Sequence, residues 1–228
     1  MIKKVRLLQI QFSSEIKRYE LPAFRAAIAE KAGKEHVLFH NHTETGFRQK
    51  YPLIQYKSIN GKPAIICLEE AVEEIHHFFK QQDWSIKIGT ETREMKIDGL
   101  NLNQFTMQVW DKKFKYSIIN WLALNQENFK KYQELTGVVE KNQFLEQKLT
   151  GNILSFAKGI EWTIEKQIEL KITENTGSKI LPHKGVKLMA FNLEFETNVF
   201  LPNFLGLGKG AGFGFGTVKQ MSKEKNNK

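Results

Sequence analysis

The sequence contains one cysteine, Cys67, set in the apolar run Ala64-Ile65-Ile66-Cys67-Leu68. A single thiol allows no intrachain disulfide and no cysteine-based metal centre, and a reducing compartment is expected. Cys67 itself reads as a small core residue. No apolar run approaches the ~20 residues needed to cross a bilayer. Met1 leads straight into a charged, strand-like pattern rather than a signal peptide. A cytoplasmic chain with no membrane partner is therefore expected. No Gly-Lys-Ser/Thr occurs, which excludes a Walker-type phosphate loop, and there is no obvious acidic cluster to hold magnesium. Both absences weigh against a nucleotide-binding enzyme. No internal sequence repeat is visible.

What is present is a chain of 228 residues, 41% hydrophobic and 26% charged, with a formal net charge of +9. The length suits one large or two small domains. The basic balance, with a pI near 9.4, suits a polyanionic partner, most simply nucleic acid.

Hydrophobic patterning gives the coarse order. Lys4–Phe12 reads as a strand with Leu8, Ile10 and Phe12 on one face. Leu21–Lys31 reads as a helix with Pro22 in its first turn and Gly33 at its end. Two strands, 53–59 and 62–68, flank Asn60-Gly61, a strong hairpin signal. A helix over 69–80 and a strand over 84–97, interrupted around Gly89, complete a βαββαβ set, the split arrangement called ferredoxin-like. Asp98-Gly99 reads as the boundary, giving a first module over 1–98 and a second over 99–221. In the second, a strand through Phe105, Met107 and Val109 precedes a helix capped by Ser117 and another over 141–157. A strand through Ile164, Ile168, Leu170 and Ile172 ends in a turn at Asn175-Thr176-Gly177. A long strand over 186–200 follows, and a closing strand reaches Met221. Residues 222–228 read as a disordered basic tail. The fold class expected is α+β, with two tandem modules.

Between the last two strands lies Gly206-Leu207-Gly208-Lys209-Gly210-Ala211-Gly212-Phe213-Gly214-Phe215-Gly216, in which six of eleven residues are glycine. Such a run lets backbone N–H groups face an anion, and Lys209 adds a positive charge. Phe213 and Phe215 fit either base stacking or a core.

Three of the six histidines, His36, His40 and His42, lie within seven residues, close to Arg48, Lys50 and Tyr51. In an extended segment His40 and His42 share a face. Histidine can take a proton from a ribose 2′-OH or give one to a leaving 5′ oxygen, and a nearby cation can stabilise the charged phosphate between. Glu44 is the only close acid, so no metal set is complete here; neither metal nor cofactor is expected. His76-His77, on a helix, read as solvated, and His183 as a loop residue or an RNA contact.

The Gly-hydrophobe-Gly pair, separated by five residues including a lysine, resembles the glycine-rich loop of the RAMP superfamily of CRISPR-associated proteins. Within it the chain looks like the repeat-processing endoribonuclease family (Cas-six type). That resemblance implies two ferredoxin-like modules and metal-independent cleavage of CRISPR precursor RNA within its repeats, leaving a 2′,3′-cyclic phosphate and a 5′-hydroxyl. It implies His42 or His40 as base or acid, Lys50 or Arg48 as phosphate stabiliser, and Tyr51 as a helper. Lys209, the backbone from Gly208 through Gly210 and Gly212 to Gly214, Arg25, Lys179, Lys184 and Lys187 are the candidate RNA contacts. The implied partners are repeat RNA and processed CRISPR RNA, with other Cas proteins of an interference complex, and the chain would be a monomer or homodimer. The rival reading is a non-catalytic RNA-binding RAMP subunit that shares the loop and does not depend on its histidines.

Overall fold

The first strand, β1 (Lys3–Phe12), is central to its sheet and buries Val5, Leu7, Leu8, Ile10 and Phe12. In this computed structural model residues 1–33, 35–40, 42–43, 46–47, 50–81 and 83–221 are described, residues 42–43 and 46–47 by backbone only. From β1 the chain enters α1 (Leu21–Ala32), with Pro22 in its first turn and Leu21, Phe24 and Ile28 buried. The short α2 (Val37–His40) and two minimal strands, β2 (His42–Thr43) and β3 (Gly46–Phe47), lead to β4 (Ile54–Ile59) and β5 (Lys62–Leu68). Asn60 and Gly61 join the last two, with φ of 52° and 78°, as the right-handed twist of a two-residue hairpin requires.

The expected helix over 69–80 is two short ones, α3 (Ala71–Glu74) and α4 (His76–Phe79), parted at Ile75. The region 84–97 is not the fourth strand of the sheet. It is a separate hairpin of β6 (Ser85–Ile88) and β7 (Glu91–Glu94), turned at Gly89. The fourth strand is β8 (Ile97–Met107), which runs through Asp98-Gly99 and pairs with β1 from Phe12 back to Lys3. Its exposed Leu100 and Leu102 blurred the alternation that marks a half-buried strand. The sheet order β4-β5-β1-β8, all antiparallel, is the ferredoxin-like one. Phe12 meets Phe24 and Phe78 edge-on and Phe24 meets Tyr56 likewise. These contacts join β1, α1, α4 and β4, each contributing about 0.5–1.5 kcal/mol beyond its buried area.

The second module opens with β9 (Val109–Trp121), where a helix capped by Ser117 was expected. This strand pairs with neighbours on both sides, so Ile118, Trp121 and Leu122 are buried together and mimic a helical stripe. The helix α5 (Gln126–Glu134) begins later, where the Asn125 side chain accepts the Asn128 N–H at 2.8 Å. Helix α6 (Val138–Gly159) buries Leu145, Leu149, Ile153 and Phe156. Strands β10 (Leu170–His183) and β11 (Val186–Val199) form one long hairpin. The expected turn at 175–177 is only a register irregularity, and the chain reverses at Lys184-Gly185, both with positive φ. The closing strand is β12 (Thr217–Gln220), and the order β10-β11-β9-β12 repeats that of the first sheet. Helices α5 and α6 fill the first crossover. The glycine segment takes the place of the second helix. Among the described residues no helix is long and apolar enough to cross a membrane. The expected tail, 222–228, lies outside the described residues.

Candidate nucleic-acid interface

The glycine segment closes on itself and on the first module. The Leu207 N–H donates to the Gly216 carbonyl at 2.9 Å, and the Gly216 N–H to that of Asn120 at 3.1 Å. Glycine is required at 216, because φ is 58° and a Cβ would lie 1.9 Å from the Leu207 carbonyl oxygen. Ala211 donates to Gly208, and Phe213 and Phe215 both donate to Gly210. Part of the loop's backbone is thus already bonded within the protein.

Strand β4 grips the underside. Gln55 and Lys57 alternate with the core residues Ile54 and Tyr56, so they share the face turned to the loop. Gln55 Oε1 accepts the Gly206 N–H at 2.8 Å, and the Tyr51 hydroxyl donates to the Gly206 carbonyl at 2.6 Å. Gln55 Nε2 donates in turn to the Tyr51 hydroxyl at 2.8 Å. Lys57 Nζ, fully buried, donates to the Ala211 carbonyl at 3.0 Å. Burial, with a lesser contribution from Arg18, lowers the Lys57 pKa to about 7. Gly206 is glycine for lack of room: a Cβ would stand 2.6 Å from Lys57 Nζ and 2.7 Å from the Ala211 carbonyl oxygen.

These contacts bear on three sequence expectations. Tyr51 is committed to the loop: its ring lies against Phe156, its hydroxyl donates to the Gly206 carbonyl, and burial raises its pKa. Gly212 and Gly214 are buried beside Pro52 and Leu21. They allow close packing between the modules and present no surface to RNA.

The outer side of the loop is cationic. The Arg25 guanidinium, from α1, lies 4.5 Å above the Phe213 ring, and Lys184 Nζ lies 6.0 Å from the same ring. His183 stands edge-on to Phe215 and Phe213, with centroids 5.2 and 6.0 Å away. The β10–β11 register places Lys179 on the His183 face of the hairpin and Lys187 on the opposite face, away from the cluster. Lys209, within the loop, is exposed. The groups feel one another's charge. Burial, then Lys209 and Lys184, lower the pKa of His183. Burial, then Arg25 and Lys209, lower that of Lys184. Among the described residues neither Arg25 nor Lys209 forms an ion pair. Cations held together in this way bind an anion well, because it relieves their repulsion.

Arg25 also joins this cluster to the histidines: its Nη2 donates to the backbone carbonyl of His40, at the end of α2. His40 is half-buried there. The strand β2 begins at His42, whose side chain, like all of Arg48, lies outside the described residues. Lys50 is exposed and lines a cleft of about 850 Å3 with Lys3, Arg6, Tyr51, Glu69, Glu73 and Lys158 among others. Sequence reasoning missed Gln55 and Lys57. Their signal was polar residues at alternate positions in a strand whose other residues are apolar.

Two family models cover nearly the whole chain, the Cas6b N-terminal domain over residues 3–106 and the Cas6b C-terminal domain over 108–221. A solved structure described as Cas6b superposes with a TM-score of 0.86 at 27% identity, over 96% of this chain and 100% of that one. Another, described as the CRISPR RNA processing endoribonuclease Cas6b, gives 0.71 at 25% identity, over 96% and 100%. The uncharacterized protein MJ0978 of Methanocaldococcus jannaschii is 37% identical over 111 residues, 48% of this chain and 74% of that one.

Proposed function

Because the chain belongs to the Cas6b family, we propose that it is an endoribonuclease that processes CRISPR RNA, cutting the precursor within its repeats. In this reading one of His40 and His42 takes the proton from the 2′-OH beside the scissile phosphate. The freed oxygen attacks phosphorus, the bond to the 5′ oxygen breaks, and the other histidine gives that oxygen its proton. The products are a 2′,3′-cyclic phosphate and a 5′-hydroxyl. A base, an acid and fixed cations suffice, so no metal is required.

Arg25, Lys184 and Lys209 hold the phosphates adjoining the cut, with Lys179 extending the path along the hairpin and Arg48 or Lys50 steadying the charged intermediate. The loop's stacked Phe213 keeps Arg25 in place. The processed RNA stays bound and passes to other Cas proteins, with the chain acting as monomer or homodimer.

The observation that carries this reading is the double engagement of Arg25, which lies over Phe213 of the glycine loop and donates to the His40 carbonyl. One side chain thereby couples the anion-binding surface to the histidine segment. The test is single-turnover cleavage of a panel of CRISPR repeat RNAs by wild type, His40→Ala and His42→Ala, with binding measured alongside. Cleavage that drops about 100-fold or more in at least one variant, with RNA affinity kept, is expected. Tight binding with no cutting of any repeat would favour a non-catalytic RNA-binding subunit instead.

A further inference from the structure

A second histidine cluster lies outside the site described above. His36, just before α2, stacks on His77 of α4, with centroids 3.5 Å apart and planes 27° apart. The Glu74 carboxylate lies 3.3 Å from His36 Nδ1 and 3.9 Å from His77 Nε2. One ligand atom from each of the three falls within 4.8 Å of the others. Their side chains are 19%, 35% and 24% exposed for His36, Glu74 and His77, so the group is partly desolvated yet reachable. An open cleft of about 370 Å3 passes beside it, lined by Glu35, His36, Glu70 and Glu74 among others. The Glu35 carboxylate lies 3.5 Å from His36 Nε2.

We propose that His36, Glu74 and His77 bind a divalent transition-metal ion, zinc or a metal of similar preference, which ties the segment before α2 to the α3–α4 turn. Two imidazoles in contact cannot both carry a proton cheaply. Neutral ring nitrogens beside a carboxylate are the donors zinc takes, at about 2.0–2.2 Å each. Ligand atoms around a tetrahedral ion stand about 3.3 Å apart on those lengths; the present atoms lie within 4.8 Å of one another, and the two stacked rings must turn out of their stack for both nitrogens to face one ion. The set supplies three protein ligands, leaving the fourth position to water or to Glu35. The Glu-x-x-His spacing from Glu74 to His77 puts both on one helical face and is the signal visible in sequence.

The site stands apart from the cleavage chemistry. Its consequence is mechanical: α2 begins at Val37, directly after His36, and ends at His40, so an ion at His36 fixes the near end of the segment that carries His40.

The test is calorimetric titration of chelator-treated protein with Zn2+, comparing wild type with His77→Ala, His36→Gln, Glu74→Gln and, as a control, His40→Ala. Cobalt absorption bands serve as a second readout. One equivalent bound at micromolar or tighter affinity is expected, weakened at least tenfold in each of the first three variants and unchanged in the control. Zinc should also raise the melting temperature of wild type and not of Glu74→Gln, which is nearly isosteric and keeps the test valid if His77→Ala folds poorly. Absence of saturable binding would overturn the proposal. So would zinc binding that survives in all three variants or disappears in the control.

Discussion

Arg25 lies 4.5 Å above the ring of Phe213, a residue of the other module, and this stacking sets where the first helix meets the glycine loop. The same guanidinium donates to the His40 carbonyl. Neither engagement needs the other, yet both are made at once. Arg25→Ala should therefore lower both RNA affinity and single-turnover cleavage, the latter by roughly 10–100-fold, the range expected when a charged hydrogen bond is removed. Arg25→Lys keeps the charge but not the planar stack or the forked donor, and should recover affinity more than rate. Equal recovery of both would show that only the charge matters.

Lys184 feels the charges of both Arg25 and Lys209 across the loop surface. Neutralising Lys184 and Lys209 together should weaken RNA binding by a similar factor for every sequence. The dependence of log K on log salt should flatten by about 0.7 for each phosphate of single-stranded RNA that is no longer neutralised. Lys187→Ala, on the opposite face of the hairpin, should leave that slope unchanged. Filter binding at several salt concentrations reads both.

Lys57 makes a pH prediction. Its folded pKa is about 7, against an ordinary 10.5. Between those values the unfolded chain holds a proton that the folded chain does not, so this residue makes stability rise with pH over that window. Below about 7 both states are protonated, and the penalty of burying the charge stays constant. The melting-temperature difference of wild type minus Lys57→Met should therefore become more positive from about pH 7 to about pH 10 in matched buffers. A flat difference would mean that Lys57 is charged throughout, held by the Ala211 carbonyl and its surroundings.

Gly216→Ala should be strongly destabilising, because it adds a backbone penalty at φ 58° to a Cβ placed 1.9 Å from the Leu207 carbonyl oxygen. A loss of roughly 2–4 kcal/mol is expected, equivalent to about 5–15 °C in melting temperature for a chain of this size. Gly151→Ala, where an added Cβ meets nothing within 4 Å, is the control and should be neutral or slightly stabilising, since the site is helical.

Much of this architecture could be read in the residues. The Asn60-Gly61 hairpin, the first helix with Pro22 and the long helix that buries Leu145, Leu149, Ile153 and Phe156 are local signals. Each formed because neighbouring residues alone specify it. The misreadings came where tertiary burial imitates another period. Ile118 and Trp121 sit in a strand paired on both edges, with Leu122 buried just after it, and Leu100 and Leu102 face out from an edge strand. The glycine loop was visible in the sequence, but the cations around it were not assembled by spacing. Arg25, Lys184 and Lys209 are brought together only when the hairpin tip and the first helix close over Phe213. Gln55, Lys57 and Tyr51 act on backbone groups some 150 residues away, and no local pattern specifies that.

The most direct measurement is cleavage of a repeat RNA carrying a single 2′-deoxy substitution on the nucleotide preceding the cut, with the product ends determined by mass spectrometry. Attack by the 2′-hydroxyl predicts that unmodified RNA yields a 2′,3′-cyclic phosphate and a 5′-hydroxyl, while the deoxy RNA binds equally well and stays intact. A 3′-hydroxyl with a 5′-phosphate, or undiminished cutting of the deoxy RNA, would contradict it.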